Sequence, residues 1–434
     1  MGGSVRDALL DRGHEDLDFT TDARPDEIKE IVGDWASDLY LAGEVFGTVG
    51  AIRDGRVHEI TTFRSDVYHE DSRKPRVTFS DDIASDLARR DFTVNAMAIR
   101  IPVGGEIPEI VDPYHGLVDL AAKVLRCPVD AQVSFGDDPL RMLRLFRFVS
   151  QLGFVPHEST LEAVAGMAPR LAVVSPERIQ GELDRLMVGE NVADALWGLV
   201  HSGLAEHFIP ELPALAVEQD PVHHHKDVLA HTVAVVEKMD PTPLRRLAAL
   251  FHDVGKPATR RFDSDGVSFH HHEVVGARMA RARLQELRYP KQLTEDVAQL
   301  VFLHMRPHTY KMGWTDAAVR RYVRDAGPLL DDLNQLVRND VTTRSRKRAD
   351  AIAGRIDELE VRIAELRKQE ELDALRPPID GHAVMQYLGV QPGPAVGEVM
   401  HLLYEHRIEH GPYTVEEAYA LLDEWRAGRE QGIG

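Results

Sequence analysis

The sequence predicts an α+β fold in which a domain built on a mixed or antiparallel sheet is followed by helices alone. Short runs with strand character lie between Met1 and Asp112, and strand signals stop after Pro113. Beyond that point, apolar residues recur at helical spacing. A chain of 434 residues is long enough for about three domains.

The predicted strands are runs of β-branched and aromatic residues bounded by turn-forming residues. They cover Leu17–Thr20, Leu39–Ala42, Val45–Arg53, Val57–Phe63, Ala96–Ile101 and Ile107–Val111. Because short turns separate several of these runs, we expect neighbouring strands to pair as hairpins.

The predicted helices follow apolar spacings of three and four residues. The clearest cover Leu140–Leu152, Glu158–Ala168, Pro176–Leu186 and Asp194–Leu204. A boundary follows near residues 210–222, where Pro210, Pro213 and Pro221 interrupt the pattern. We therefore expect a head at 1–112, a helical neck at 113–215, a third domain at 216–345 and C-terminal helices at 346–434.

A later helix carries apolar residues at heptad spacing and ends before Pro377. The residues are Ile356, Leu359, Ile363 and Leu366. The favoured interpretation is a helix docked on its own domain, and the alternative is a seam for a partner or a second copy. Monomer and homodimer therefore both stay open.

Composition limits the function classes. The formal net charge of −20 argues against a non-specific nucleic-acid coat, so any bound polyanion must meet a local basic patch. The single cysteine, Cys127, excludes a disulfide framework and multi-cysteine metal sites, and it fits a reducing cytoplasm. Since the sequence shows no long apolar run and no signal-peptide pattern, we expect a soluble cytoplasmic protein without membrane contact.

The first candidate site lies near the amino end. Asp16 and Asp18 are two residues apart on a predicted strand, so both carboxylates face one side. Paired carboxylates hold hard divalent cations, and their oxygen ligands suit Mg²⁺. A site for two ions needs a third carboxylate on a neighbouring strand, and Glu59 is the candidate.

A glycine pair precedes the first predicted helix. Glycine lets backbone N–H groups approach phosphate closely, and the helix dipole favours its negative charge. Arg6, about one turn further on, adds a charged fork. Nucleotide phosphates are therefore expected at Gly3 and Arg6.

These groups follow each other in a fixed order: Gly2-Gly3, Val5-Arg6-Asp7 and Asp16-Leu17-Asp18. They resemble the active-site signature of the tRNA nucleotidyltransferase and bacterial poly(A) polymerase family, the class II branch of the polymerase-β-like superfamily. The resemblance implies a polymerase-β-like head, an all-α neck, an HD domain and C-terminal helices. Family members begin with a helix and a strand that lead into the glycine pair, whereas here Met1 abuts Gly2. We expect that the start codon is placed too late, and the alternative is an incomplete, inactive head.

The resemblance continues along the chain. Residues 89–98 are similar to the family's second motif, which implies nucleotide contacts for Arg90, Asp91 and Asn95; the alternative is a basic surface turn. Residues 112–120 resemble a hinge between head and neck, and residues 175–183 resemble a capped helix with a structural role.

Residues 137–147 resemble the family's nucleotide-selecting motif, with Asp137 where a glutamate is usual. Asp138 and Arg141 are neighbours on one helix face. Cytosine and adenine both present an amino donor beside a ring-nitrogen acceptor, so a fixed carboxylate and guanidinium would accept only CTP and ATP. Arg144 and Arg147 extend the stripe towards phosphate and stacking contacts. The alternative is a helix capped by Asp138 and followed by solvated arginines.

The second candidate site lies in the helical half. The adjacent pair His252-Asp253 follows the helix-borne His231 and precedes a distant Asp340. Imidazole and carboxylate together suit divalent transition metals or Mg²⁺. The residues resemble the HD phosphohydrolase superfamily, which implies these four as metal ligands.

Further histidines surround this motif. His272, Glu273 and His304 are candidates to complete or enlarge the metal site, and core packing is the alternative. The run His223-His224-His225 is interpreted as a solvated entry to the first helix of this domain.

The resemblance implies addition of C-C-A to the 3′ end of tRNA from CTP and ATP, with two Mg²⁺ ions and release of pyrophosphate. The helices beyond residue 150 would hold tRNA by shape and backbone. A poly(A) polymerase is the close rival, although Gly47-Thr48-Val49 resembles the C-C-A enzymes. A phosphohydrolase or an RNA-binding protein with an inactive head remains a further alternative. Addition of all three nucleotides or only some depends on the segment Tyr68–Asp82.

Overall fold

The computed structural model describes residues 1–13, 17–67, 76–102, 104, 106–217, 227–263, 266–341, 346–370 and 376–431. It divides into two compact units. The first comprises Met1–Ala216, Pro241–Pro243 and Arg283–Tyr289, and the second comprises Val217–Asp240, Leu244–Ala282 and Pro290–Gly434. The α+β prediction is confirmed, while the four finer boundaries stay predictions. None of the helices described is long and apolar enough to cross a membrane.

The strands of unit 1 position the first candidate site. They are β1 (Asp18–Thr21), β2 (Asp38–Tyr40), β3 (Thr48–Arg53), β4 (Arg56–Thr62), β5 (Arg64–Val67), β6 (Arg76–Phe79), β7 (Ala98–Arg100), β8 (Glu109–Val111), β9 (Val124–Leu125) and β10 (Val155–Pro156). The first four form a sheet in the order β1-β4-β3-β2. Within it, β1 and β4 are parallel and the other pairs are antiparallel. The hairpin prediction is therefore right for β3–β4 and β7–β8 and wrong for β1.

Other strand predictions need correction. The predicted run Val45–Arg53 begins instead with a 3₁₀ turn at Glu44–Phe46, and β3 starts at Thr48. The hairpin of β5 and β6 was not predicted, and neither were the strands after Pro113. Those later strands have two or three residues each, which is too short for a period-two pattern to show.

The helices of unit 1 are α1 (Gly3–Leu9), α2 (Pro25–Gly33), α3 (Ile83–Ala88), α4 (Gly116–Ala122), α5 (Ala131–Asp137), α6 (Leu140–Leu152), α7 (Glu158–Met167), α8 (Pro176–Met187) and α9 (Val192–His201). Helix α6 is central and packs on α8 and α9. A Cβ at Gly198 would lie 2.4 Å from the Phe146 ring, so only glycine allows this approach of α9 to α6. Close packing from two sides holds α6, which carries the predicted nucleotide-selecting motif, in a fixed place.

Unit 2 contains the hairpin β11 (Arg261–Asp263) and β12 (Gly266–Ser268). Its helices are α10 (Val228–Lys238), α11 (Pro243–Phe251), α12 (Lys256–Thr259), α13 (His272–Glu286), α14 (Lys291–Leu303), α15 (Asp316–Ala326), α16 (Leu330–Asn339), α17 (Arg346–Glu370), α18 (Gly381–Leu388), α19 (Pro394–His410) and α20 (Val415–Gln431). Ile356, Leu359, Ile363 and Leu366 of α17 are all buried, and α17 contacts α15 and α16. The heptad seam is therefore docked on its own unit.

Candidate active sites

Two of the three predicted carboxylates of the first site meet on adjacent strands. Asp18 and Glu59 are register partners in the parallel pair β1–β4, so their side chains lie on the same face of the sheet. Asp18 is partly buried at the start of its strand, and Glu59 is exposed. Asp16 lies outside the described residues. The arrangement of Asp18 and Glu59 suits a hard cation at the sheet surface.

Arg90 lies behind the glycine pair. Gly2 has φ +69°, and a Cβ at this position would lie 2.3 Å from Arg90 Nη1, so both backbone conformation and space require glycine. The Nε atom of Arg90 is enclosed without a hydrogen-bond partner among the described residues. Burial lowers the pKa of Arg90, and the charge of Asp86 opposes that change. An enclosed cation near Asp18 is suited to bind an anion such as a triphosphate.

Arg6 faces inward. Its Nη1 donates to Asn95 Oδ1 at 2.6 Å, and its Nε donates to Asp7 Oδ1 at 2.8 Å. Asn95 in turn donates from Nδ2 to Asp91 Oδ1 at 2.9 Å. In this structure Arg6 thus supports the second motif, and its predicted contact with phosphate stays a prediction.

The predicted nucleotide-selecting motif is buried more deeply than the alternative of solvated arginines allows. Arg141 is 8% exposed and Arg147 is 7% exposed. Arg141 donates from Nη1 to Ser134 Oγ at 2.9 Å and from Nη2 to the carbonyl of Arg89. The alternative of solvated arginines is therefore wrong for Arg141 and Arg147.

Asp138 and Arg141 have separate partners in the structure. Helix α6 begins at Leu140, one residue later than the capping alternative places it, and Leu140 N donates to Asp138 Oδ1 at 3.2 Å. Arg178 of α8 donates from Nη2 to Asp138 Oδ2 at 2.8 Å. To read a base edge as predicted, Asp138 and Arg141 must each exchange a present partner for the nucleotide.

A buried carboxylate that the sequence did not indicate as functional contacts the arginines of α6. Glu182 of α8 is 5% exposed and lies 3.0 Å from Arg147 Nη1 and 3.5 Å from Arg144 Nη1. Arg144 also donates from Nε to Asp91 Oδ2 at 2.9 Å. Burial would raise the pKa of Asp91, but Arg144 and the hydrogen bond from Asn95 hold it well below its ordinary value. The carboxylate of Asp91 is therefore ionised at neutral pH.

The second candidate site is assembled in unit 2. His231 of α10, His252 at the end of α11 and Asp340 at the end of α16 place their ligand atoms within 4.8 Å of one another. The His231 Nε2 atom lies 2.8 Å from Asp340 Oδ1 and 3.2 Å from His252 Nε2. The predicted ligands His231, His252 and Asp340 are thus brought together, with Asp253 Oδ2 3.2 Å from His252 Nε2.

A second trio of possible metal ligands lies on the Asp253 side of the first. Asp253, His272 and His304 also place ligand atoms within 4.8 Å of one another. His272 Nε2 lies 3.5 Å from Asp253 Oδ1 and 3.3 Å from His304 Nε2. Asp253 therefore directs Oδ1 to one trio and Oδ2 to the other. Glu273 belongs to neither trio, and residues 223–225 lie outside the described part of the chain.

Three of the histidines are oriented in the same way. His252, His272 and His304 each place Nδ1 within 2.8 Å of a backbone carbonyl three residues earlier in the chain. This bond fixes the tautomer with the proton on Nδ1 and leaves Nε2 as the donor atom for a cation. Hydrogen bonds of this kind to ligand histidines are typical of metal sites. The donor set therefore fits a metal on the evidence of its own geometry.

The electrostatics of the second site also favour a cation. Burial opposes protonation of His252, yet Asp253 and Asp340 raise its pKa to about 10. Burial lowers the pKa of His304 to about 3, and the charge of His252 adds to this effect. Lys256 Nζ lies 2.6 Å from Asp253 Oδ2. Positive charge is thus favoured beside the carboxylates, where a bound cation would take the place of the second proton on His252, while His304 is neutral as a metal ligand must be.

We expect Gly255→Ala to destabilise unit 2, because its Cβ would lie 2.1 Å from the carbonyl oxygen of His272 and 2.7 Å from Gly276 N. Overpacking against backbone should lower the free energy of unfolding by about 1–3 kcal/mol in urea denaturation. The control is Gly354→Ala in α17, where no atom lies within 4 Å of the added Cβ. That change should raise stability by up to about 1 kcal/mol. Equal effects of the two substitutions would contradict the close approach at Gly255.

Three family models match the chain. Residues 1–126 match the poly A polymerase head domain, residues 153–215 match the probable RNA and SrmB-binding site of polymerase A, and residues 222–362 match the HD domain. The matches cover the head, the part of the neck after α6 and the second candidate site.

Two curated relatives align with almost the whole chain. Over 447 residues the chain is 33% identical to the CC-adding tRNA nucleotidyltransferase of Thermus thermophilus, and the alignment covers 99% of this chain and 94% of the relative. It is 34% identical over 438 residues to the A-adding tRNA nucleotidyltransferase of Deinococcus radiodurans, which covers 98% and 94%. Among solved structures, the CCA-adding enzyme of Bacillus stearothermophilus in complex with CTP has the same fold, with TM-score 0.70, 24% identity and coverage of 99% of this chain and 93% of that one.

Proposed function

Since the chain belongs to the tRNA nucleotidyltransferase family, we propose that it rebuilds the 3′ C-C-A end of tRNA from CTP and ATP. The observation that carries this proposal is the pair Asp18 and Glu59 on one sheet face, beside the enclosed and unpaired Nε of Arg90. Nucleotidyl transfer needs carboxylates that bind metal ions and, next to them, a positively charged side chain that binds phosphate. We place this activity in the cytoplasm, in keeping with the single cysteine and a tRNA substrate.

We propose that Asp16, Asp18 and Glu59 hold divalent cations, and that these are two Mg²⁺ ions because the donors are all carboxylate oxygens. When bound, such ions lower the pKa of the RNA 3′-hydroxyl and stabilise the in-line displacement of pyrophosphate. Arg90 would bind the triphosphate, with Gly3 and Arg6 close to it. Glu59, exposed at the sheet surface, would assist as a cation ligand or as the base for the 3′-hydroxyl.

Selection between nucleotides is assigned to Asp138 and Arg141. The carboxylate would accept from the exocyclic amino group of cytosine or adenine, and the guanidinium would donate to the ring nitrogen. Arg144 and Arg147 lie on the same helix one and two turns further on. The helices of the neck and beyond would bind the tRNA by its shape and backbone.

The test is nucleotide addition to tRNA that lacks its last three nucleotides. We expect CTP alone to give two added residues, and CTP with ATP to give three, after which addition stops. Gel resolution of the products measures both numbers. Unlimited adenosine addition without use of CTP would establish the poly(A) polymerase alternative instead.

A second candidate follows from the two full-length relatives, which are named for the two parts of the same end. The chain would then add only C-C or only the final A. Substrates ending before C-C-A, and others ending in C-C, distinguish the candidates. Activity on both substrates supports the complete reaction, while activity on a single substrate supports division of the reaction between two enzymes.

We further propose that unit 2 is a metal-dependent phosphohydrolase. The ligands would be His231, His252, Asp253 and Asp340. His272 and His304 would join Asp253 in a second cation site. Imidazole nitrogens with carboxylates suit divalent transition metals as well as Mg²⁺. Bound ions would activate water for attack on a phosphoester, while Asp253 would hold both ions and Lys256 would bind phosphate charge.

A further inference from the structure

A chain of buried polar contacts links helix α1 to helix α8 within unit 1. Arg6 contacts Asn95 at 2.6 Å, Asn95 contacts Asp91 at 2.9 Å, and Asp91 contacts Arg144 at 2.9 Å. Arg144 continues to Glu182. The series therefore starts in the helix that follows the glycine pair and ends on a carboxylate of α8.

Glu182 is the end of this chain and the anion shared by several arginines. It lies 3.0 Å from Arg147, 3.5 Å from Arg144 and 3.7 Å from Arg185, and its side chain is 6% exposed. Burial and the neighbouring Arg144 lower the pKa of Arg147 to about 10, and the charge of Glu182 opposes them. Without the charge of Glu182, the neighbouring guanidinium groups of Arg144 and Arg147 would lose one of the negative charges that balance them.

The two arginines occupy successive turns of α6 on the helix stripe that carries Arg141. Residues three apart on a helix are neighbours, and Arg141 has its own bonds to Ser134 Oγ and to the carbonyl of Arg89, so the ion pairs of Arg144 act on Arg141 through the helix backbone that they share. The Phe148 ring supports them from one side, 5.6 Å from the Arg144 guanidinium and 4.2 Å from that of Arg147. Within the close packing of α6 on α8 and α9, the ion pairs that Asp91 and Glu182 form with these arginines thus set the final rotation of α6 about its axis, and hence the placement of Asp138 and Arg141.

We propose that Glu182 is a positioning residue for nucleotide choice, which holds Arg144 and Arg147 so that α6 presents its selecting residues in the orientation that accepts CTP and ATP. This rests on the proposed nucleotide addition. Among the described residues Glu182 forms ion pairs with Arg144, Arg147 and Arg185, and its action on nucleotide choice is through the two arginines of α6. Removal of the Glu182 charge should lower the selectivity for CTP over UTP while most of the protein stays folded.

The experiment compares Glu182→Gln with the intact protein. The readout is the ratio of kcat/KM for CTP to that for UTP on tRNA lacking C-C-A. We expect this ratio to fall by roughly tenfold or more, since discrimination by a bidentate base contact is of that size. The control is Glu177→Gln, an exposed residue in the first turn of the same helix, which should keep the ratio unchanged.

A second variant guards against misfolding. Glu182→Asp keeps the charge but shortens the side chain, and we expect an intermediate ratio with an unchanged circular dichroism spectrum. A folded Glu182 variant with the selectivity of the intact protein would overturn this inference alone. Failure of the intact protein to incorporate CTP at all would overturn the proposed function, and this inference with it.

Discussion

Replacement of Asp18 by asparagine is expected to reduce nucleotide addition on the order of 10³-fold while tRNA binding is kept. The carboxylate stands next to Glu59 across the parallel strands β1 and β4, where the proposed cation would bind. Asparagine keeps the volume and removes the charge, so the loss would report on cation binding and not on packing. Single-turnover addition of CMP to tRNA lacking C-C-A measures the rate, and filter binding measures tRNA affinity.

The matched control is Asp38→Asn. Asp38 begins β2 in the same sheet, and the hydrogen bond that its side chain accepts within the described part of the chain is a local one from Leu39 N. Addition should continue at nearly the normal rate in this variant. We expect Asp16→Asn to resemble Asp18→Asn, as paired carboxylates require. If the double variant at Asp16 and Asp18 still lengthened RNA, the carboxylate mechanism proposed for the head would be wrong.

The sequence was sufficient where each residue of a pair lies in a strand that its own local pattern predicts. The spacing of Asp18 and the strand character of residues 57–63 predicted that Glu59 would come to its side, and the register confirms the neighbourhood. The parallel direction of β1 and β4 was not predictable from short gaps between strands. It depends on α2, which occupies the connection after β1 and contacts β3 and β4.

Glu182 shows why part of the site was not predicted. In the sequence it is an acidic residue in a helix with many charged residues, where solvent exposure is the usual outcome. Its partners Arg144 and Arg147 are 38 and 35 residues away, so no local pattern relates them. Helix packing relates them: α8 lies against α6, so a carboxylate on the face of α8 that contacts α6 lies opposite the arginines of α6.

The histidines of unit 2 show an intermediate case. The adjacent pair His252-Asp253 identified the site by its sequence, whereas His272 and His304 were left open between metal ligands and core residues. Each helix that carries a ligand ends or begins at the site, and that convergence is a tertiary property. The decisive feature is the hydrogen bond that turns each Nδ1 to a backbone carbonyl and leaves Nε2 facing Asp253.

The second large effect concerns these two trios. We expect the protein dialysed against Mn²⁺ to hold two Mn²⁺ ions per chain in unit 2. Excess Mg²⁺ first displaces the ions bound to the head, free metal is then removed, and elemental analysis measures the Mn²⁺ that remains. Asp253→Asn should lose both ions and phosphodiester hydrolysis, because its two oxygens face the two trios. His272→Ala should lose one ion, since His231, His252 and Asp340 remain.

His271→Ala is the control for this series, since His271 adjoins His272 in sequence but its side chain is 83% exposed. Two ions and normal hydrolysis are expected from it. Loss of one ion in His272→Ala with hydrolysis retained would mean that a single cation site is sufficient for the chemistry. Retention of both ions in Asp253→Asn would contradict the bridging position of that aspartate, which directs Oδ2 to His252 of the first trio and Oδ1 to His272 of its own trio. The two sites of the chain are distinguished by Asp18→Asn, which removes a carboxylate charge from the head alone and should leave hydrolysis by the histidine site intact.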